Sequence, residues 1–252
     1  KGQYILIVEG SIPTGADGAY CTIGGHSAVE DCKKLVQNAA ATICVGSCSS
    51  FGGIPAAAPN PTDAVSVGSL VPGATIINLP GCPVNATNLT ATIVHFMTFG
   101  KLPAVDSLSR PKFAYGKRIH DNCERRGHFD AGQYAESFGD EAHRQGHCLY
   151  KLGCKGPESF HNCPTVRYNE GTSWPVMAGH GCIGCSEPGF WDTMSPFYRR
   201  LPKVPGFGIE DTADKIGIGL AAATAVAFGI HGVASCFRKG DAMEEDKVVK
   251  ED

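Results

Sequence analysis

The sequence predicts an α/β fold over its first hundred residues, then an irregular cysteine-rich region, then one apolar helix. Three observations carry this. Short apolar runs alternate with helix-periodic segments up to residue 100. Six cysteines from Cys123 to Cys185 fall in pairs and near-pairs with one another or with His120. No Asp, Glu, Lys or Arg occurs from 216 to 237. A β-α-β-α-β order argues for a parallel sheet with helices on its faces, because parallel strands need long crossovers. The expected boundaries are 1–108 for the α/β domain, 109–200 for the cysteine-rich domain, 201–213 for a linker, 214–237 for the apolar helix and 238–252 for a charged tail.

The elements follow in order. Residues 4–8, Tyr-Ile-Leu-Ile-Val, form an apolar run of strand length that ends at Glu9-Gly10. Residues 27–41 place Ala28, Cys32, Leu35, Val36 and Ala39 at helical spacing, with Ser27 as the cap. Residues 42–45 give a second strand leading into a loop over 46–53, and 75–79 a third strand ending in Pro80-Gly81-Cys82-Pro83. Residues 85–99 predict a helix capped by Asn85 and stopped by Gly100. Cys48 and Cys82 then lie just past the carboxyl ends of two parallel strands, where open α/β sheets bind ligands. Cys32 and Cys44, on a helix face and in mid-strand, read as buried apolar residues.

Beyond residue 102, periodicity weakens and Pro, Gly, His and Arg dominate, with short helices expected near 133–145 and 189–198. Here stand His120-x2-Cys123, Cys148-x5-Cys154, Cys163-Pro164 and Cys182-x2-Cys185. Seven ligands are one short of two four-ligand sites. Structural zinc requires a closed set of four, whereas an iron–sulfur cluster lacking one iron needs three. Cysteine followed directly by proline, at Cys163 and Cys82, also closes ferredoxin-type cluster runs. The residues thus read as two iron–sulfur clusters, one complete and one with three irons, whose binding energy supplies folding energy to a region poor in apolar residues. A zinc-binding interaction module and a freestanding ferredoxin-like carrier are the alternatives.

The formal charge of −3 gives no reason to expect nucleic acid as a partner, and twelve cysteines in 252 residues cluster as metal ligands do rather than as a disulfide framework. The segment 216–237 has the length to span a bilayer, with Arg238-Lys239 expected to stay cytoplasmic and a charged, disordered tail after them. His231 within it either contacts a membrane partner or reaches the headgroups. Arg118, Arg125 and Arg126 either guide an acidic redox partner or form a solvated basic face.

Five motifs together resemble the small, electron-transferring subunit of membrane-bound nickel–iron hydrogenases: Gly46-Ser47-Cys48; Pro80-Gly81-Cys82-Pro83; Ile119-His120-Asp121-Asn122-Cys123; Cys148-Leu149-Tyr150-Lys151-Leu152-Gly153-Cys154-Lys155-Gly156-Pro157; and Gly179-His180-Gly181-Cys182-Ile183-Gly184-Cys185-Ser186-Glu187-Pro188. The resemblance runs from Tyr4 through the C-terminal helix. It implies a flavodoxin-like, doubly wound sheet and three clusters in line. Cys48 and Cys82 correspond to two ligands of a proximal 4Fe–4S cluster, His120, Cys123, Cys148 and Cys154 to a distal 4Fe–4S cluster, and Cys163, Cys182 and Cys185 to a medial 3Fe–4S cluster, with Pro175 at the vacant fourth position. It further implies an obligate heterodimer, or a dimer of heterodimers, in which the nickel–iron site belongs to the large partner, so that no catalytic residue lies in this chain. Also implied are a membrane cytochrome b and quinone acceptor, and an inner-membrane location on the periplasmic face, held in lipid by the C-terminal helix after export on a twin-arginine signal. The family takes two further proximal ligands from a C-x2-C motif, and none precedes Cys48, so the expectation is that a strand and loop upstream of Lys1 carry them. Gly53 stands where oxygen-tolerant members of the family carry an extra cysteine, which implies an oxygen-sensitive type.

Overall fold

The computed structural model describes residues 2, 4–201 and 217–235. Its parallel sheet has three strands, β1 (Ile5–Glu9), β2 (Ala41–Val45) and β3 (Ile76–Leu79), in the order β1-β2-β3. Ile5 lies opposite Ala41 and Glu9 opposite Val45; Thr42 lies opposite Ile76 and Val45 opposite Leu79. All five β2 residues are buried, as expected for a central strand covered on both faces, and this is why the strand reads as a continuous rather than an alternating run.

On one face, Leu6, Val8 and Cys44 pack with Cys32 and Val36 of α1 (Ala28–Asn38) and with Val67 and Val71. On the other, Ile43, Val45, Ile77 and Leu79 pack with Leu89 and Ile93 of a second long helix, Ala86–Phe99, and with Ala114 and Tyr115. The caps are those the sequence predicts. The Ser27 hydroxyl accepts from the Glu30 amide at 3.2 Å, and Asn85 Oδ1 accepts from the Thr87 amide at 3.0 Å. Gly100, at φ +64°, returns its amide to Phe96 and closes the second helix in the left-handed conformation that costs glycine least. Cys32 and Cys44 are core residues, as expected.

Three features differ from the sequence-based expectation. The helix expected over 27–41 stops at Asn38, because Ala39 is already extended and Ala41 has joined β2. The expected loop 46–53 begins as a helix, Gly46–Phe51, despite poor helix propensity. Ser47, Ser49 and Ser50 are buried in it, and Ser49 Oγ donates back to the Val45 carbonyl at 2.8 Å, so packing and local hydroxyl bonds override propensity. Residues 133–145 and 189–198 yield only the four-residue helices Glu141–Arg144 and Phe190–Thr193. In the first case the Asp140 carboxylate accepts the Glu136, Ser137 and His143 amides and confines the helix to the residues after it.

Among the described residues from 101 to 201 no helix exceeds five residues. Their shared core consists of Ile119, Leu149, Leu152, Trp174 and Val176 together with Cys163 and Cys182. Candidate ligands are therefore part of the hydrophobic core. Lys1–Pro202 is one compact unit, and Lys203–Asp252 is a second. Described by itself, the second unit holds the exposed helix Gly217–Ser235, 19 residues with mean hydropathy 1.6, which is long and apolar enough to cross a membrane. Residues 202–213 of the expected linker, 214–216 and 236–237 of the expected anchor, and the tail 238–252 lie outside the described residues.

Candidate metal centres

The sequence-predicted ligands gather at three places. His120, Cys123, Cys148 and Cys154 line one cavity. A short 3-10 helix, Ile119–Asn122, presents His120 and hands on to Cys123. Cys148 is fixed by two backbone bonds, its amide to Gln133 at 3.1 Å and its carbonyl from Ala135 at 3.0 Å. Cys154 follows Gly153, whose φ of +93° makes the turn that brings it alongside Cys148. The His120 ring stands edge-on to Phe129 at 4.6 Å. Burial, with Arg126 adding to it, lowers the His120 pKa to about 4, so at neutral pH the ring is the neutral imidazole that can donate a lone pair.

Cys163, Cys182 and Cys185 line a second cavity of about 350 Å³, whose walls include Trp174, Pro175 and Cys82. Pro175 occupies the wall with no metal-binding atom of its own. The third place is the pair Cys48 and Cys82 at the carboxyl ends of β2 and β3. Ser47 ties their two loops together: its amide donates to the Gly81 carbonyl at 3.0 Å and its hydroxyl accepts from the Gly81 amide at 2.9 Å. The same hydroxyl donates to the Cys185 carbonyl, so this pair and the second cavity share a strut.

The donor set fits iron–sulfur clusters. Burial raises the thiol pKa to about 11 at Cys123, about 12 at Cys148 and Cys163, and about 11 at Cys185; Cys48, Cys154 and Cys182 also move up with burial as the leading cause. Buried thiolates are thus unfavourable unless something compensates their charge, and a metal does so. Backbone amides already point at the sulfurs. Cys182 N–H donates to Cys154 Sγ at 3.3 Å and Gly184 N–H to Cys182 Sγ at 3.4 Å. Among the described residues no three His, Cys, Asp or Glu side chains converge as a single ion demands. They instead surround cavities, as ligands bound to separate irons of one cluster do. The first cavity is the smaller of the two, about 20 Å³ against about 350 Å³.

Residues 115–198 match the family model for the C-terminal part of the NiFe/NiFeSe hydrogenase small subunit, and residues 1–96 match that of the 20 Kd subunit of NADH ubiquinone oxidoreductase. The quinone-reactive Ni/Fe-hydrogenase small chain of Wolinella succinogenes is 53% identical over 247 residues, covering 95% of this chain and 70% of that protein. The chain belongs to the nickel–iron hydrogenase small-subunit family. The uptake hydrogenase small subunit of Azotobacter vinelandii, 50% identical, is matched over 95% of this chain and 66% of its own length. Among solved structures, the [NiFeSe] hydrogenase of Desulfovibrio vulgaris Hildenborough aligns with a TM-score of 0.72 at 36% identity, covering 79% of this chain and 76% of that one. The actinobacterial-type NiFe-hydrogenase of Ralstonia eutropha H16 aligns with a TM-score of 0.72 at 27% identity, covering 88% and 71%.

Around the ligands of this hydrogenase small chain lie residues that sequence reasoning missed. Arg110, 4% exposed, bonds Asp106 Oδ2 at 2.8 Å and both Glu187 Oε1 and the Ser186 carbonyl at 3.0 Å, fixing the segment after Cys185. His161 contacts Cys163 Sγ through Nδ1 at 2.9 Å. A signal for His161 is present in the sequence, as His-x-Cys. None exists for Glu187 as the partner of Arg110, which lies about eighty positions away.

Proposed function

We propose that this chain conducts electrons, one at a time, from hydrogen oxidation on a nickel–iron large subunit through three clusters to a membrane cytochrome b and quinone. One observation carries the reading: the three ligand groups adjoin in series. Cys82 of the β2–β3 pair lines the cavity of Cys163, Cys182 and Cys185, and the Cys182 amide in turn bonds the sulfur of Cys154 in the four-ligand group. Adjoining ligand groups of this kind are what a relay needs, since they bring each site next to the following one.

In this reading Cys48 and Cys82 hold part of a proximal 4Fe–4S cluster, Cys163, Cys182 and Cys185 a medial 3Fe–4S cluster, and His120, Cys123, Cys148 and Cys154 a distal 4Fe–4S cluster. The clusters supply one-electron redox chemistry when bound. The chain's residues hold them, exclude water and set their charge: neutral His120 replaces one thiolate and so removes one negative charge from the distal site. The α/β region, 1–108, is part of a flavodoxin-like doubly wound sheet, followed by the cluster domain at 109–200. The helix containing Gly217–Ser235 anchors the complex in the inner membrane with the clusters on the periplasmic face. Gly53 beside Cys48 marks the oxygen-sensitive type.

Low-temperature electron paramagnetic resonance of the oxidised, purified complex tests this. A narrow three-iron signal that disappears under hydrogen is expected. A fully iron-loaded complex without that signal, or with one that hydrogen leaves unchanged, would refute the assignment.

A further inference from the structure

His161 lies outside every ligand set and is 1% exposed. Its Nδ1 is 2.9 Å from Cys163 Sγ. The ring is held edge-on by Tyr115, with centroids 4.7 Å apart and an interplanar angle of 89°. Tyr115 is itself fixed, its hydroxyl donating to the Pro80 carbonyl at 2.8 Å in the loop that carries Cys82. With Nδ1 against Cys163 Sγ, the ring turns Nε2 away from the ligand.

That orientation decides the tautomer once Cys163 binds metal. A ligating thiolate has no proton to give, so the short contact requires the proton on Nδ1. Nε2 is then the unprotonated nitrogen. It is buried with no hydrogen-bond partner among the described residues, which is tolerable for a lone pair and costly for an N–H. The buried environment and the thiolate contact thus favour the same tautomer. Tyr168 Oη, at 4.0 Å, offers the sulfur only a distant second donor.

We propose that His161 is a positioning residue that sets the reduction potential of the cluster held by Cys163, Cys182 and Cys185, donating its Nδ1–H to the Cys163 sulfur; the proposal rests on the ligand assignment given above. Adding an electron makes the cluster more negative, and a hydrogen bond to a ligand sulfur stabilises the more negative state more. His161 therefore raises the potential of this site and eases electron entry from the Cys48–Cys82 side.

The test uses the purified hydrogenase with His161→Leu and His161→Gln, titrated electrochemically while the three-iron resonance is followed. His161→Leu is expected to keep the integrated signal and to shift the reduction equilibrium about tenfold toward the oxidised form, which is about 59 mV for one electron. His161→Gln, which retains a donor, should recover part of the shift. Independently, ¹⁵N-histidine labelling should give a nitrogen coupling in the pulsed spectrum of the wild-type three-iron signal, lost in His161→Leu. An intact signal with unchanged potential in His161→Leu, or no nitrogen coupling in the wild type, overturns the proposal. If His161→Leu fails to assemble, the wild-type coupling and His161→Gln decide it. Absence of any three-iron signal in the wild type would instead bring down the ligand assignment and this inference with it.

Discussion

Replacing Arg110 by methionine should be strongly destabilising, because it breaks a buried ion-pair network. Arg110 is 5% exposed at its side chain and bonds two carboxylates, Asp106 at 2.8 Å and Glu187 at 3.0 Å, whose side chains are 21% and 12% exposed. It also lies 5.5 Å from the Tyr115 ring centroid and 5.8 Å from that of Phe160. Burial already pushes the Glu187 carboxyl pKa above its usual 4.5, even though the Phe160 amide and Arg110 pull it down. Removing the guanidinium therefore strands a carboxylate that is only marginally compensated. Breaking a buried pair in this way costs roughly 3–5 kcal/mol. For a unit of about 200 residues, at 2–4 °C per kcal/mol, the apparent Tm should fall by about 6–20 °C.

The assay is thermal loss of near-UV circular dichroism and of the three-iron resonance in the purified complex. Two arms isolate the cause. Arg110→Met with Glu187→Gln should be more stable than Arg110→Met alone, because the stranded charge is gone. Lowering the pH should also rescue Arg110→Met. Glu187 has a folded pKa above its unfolded value, so the folded state binds the proton more tightly. Stability therefore rises as pH falls through the window between the raised value and 4.5. A Tm change below about 3 °C, or a double variant no better than the single, would refute the stranded-charge argument.

Further outcomes are expected at three positions. Ser47→Ala removes the partner of the Gly81 amide and of the Cys185 carbonyl, at about 1–3 kcal/mol for each buried group left unpaired, and should speed hydrogen exchange at Gly81; unchanged exchange would argue against the strut. Gly53→Ala should impair iron loading at the Cys48–Cys82 site, because Gly53 has φ +63° and a Cβ there would overlap Cys48 Sγ; wild-type iron content would contradict this. Asp140 has its pKa lowered by the His143, Ser137 and Glu136 amides, so the stability it contributes is present above 3.8 and lost as pH falls through the lowered value. Exchange at the His143 amide should accelerate in that acidic range, and Asp140→Asn should flatten the dependence.

The strands, the two long helices and their caps are legible because each is encoded within a few residues: Ser27 before α1, Asn85 and Gly100 around the helix Ala86–Phe99. The paired antiparallel segments Ile12–Pro13 with Ala64–Val65, and Thr22–Ile23 with His26–Ser27, are not, since two residues carry no periodicity. The short helix Gly46–Phe51 reads as a loop because its serines gain their helical geometry from burial against the sheet.

The ligand types and their spacing are determined by the sequence alone, because thiolate and imidazole chemistry is a property of the residue. Grouping them depends on chain separations of up to 34 residues within the first cavity, from His120 to Cys154, and 103 between Cys82 and Cys185 across the second. Only the tertiary structure decides which side chains share a cavity. It also places the residues that bind no metal but hold the ligands: Ser47 between three loops, Arg110 behind Cys185, and His161 against Cys163. Their roles arise from hydrogen bonds made in a water-excluded core, and no local pattern of residues encodes a partner that folding alone brings near.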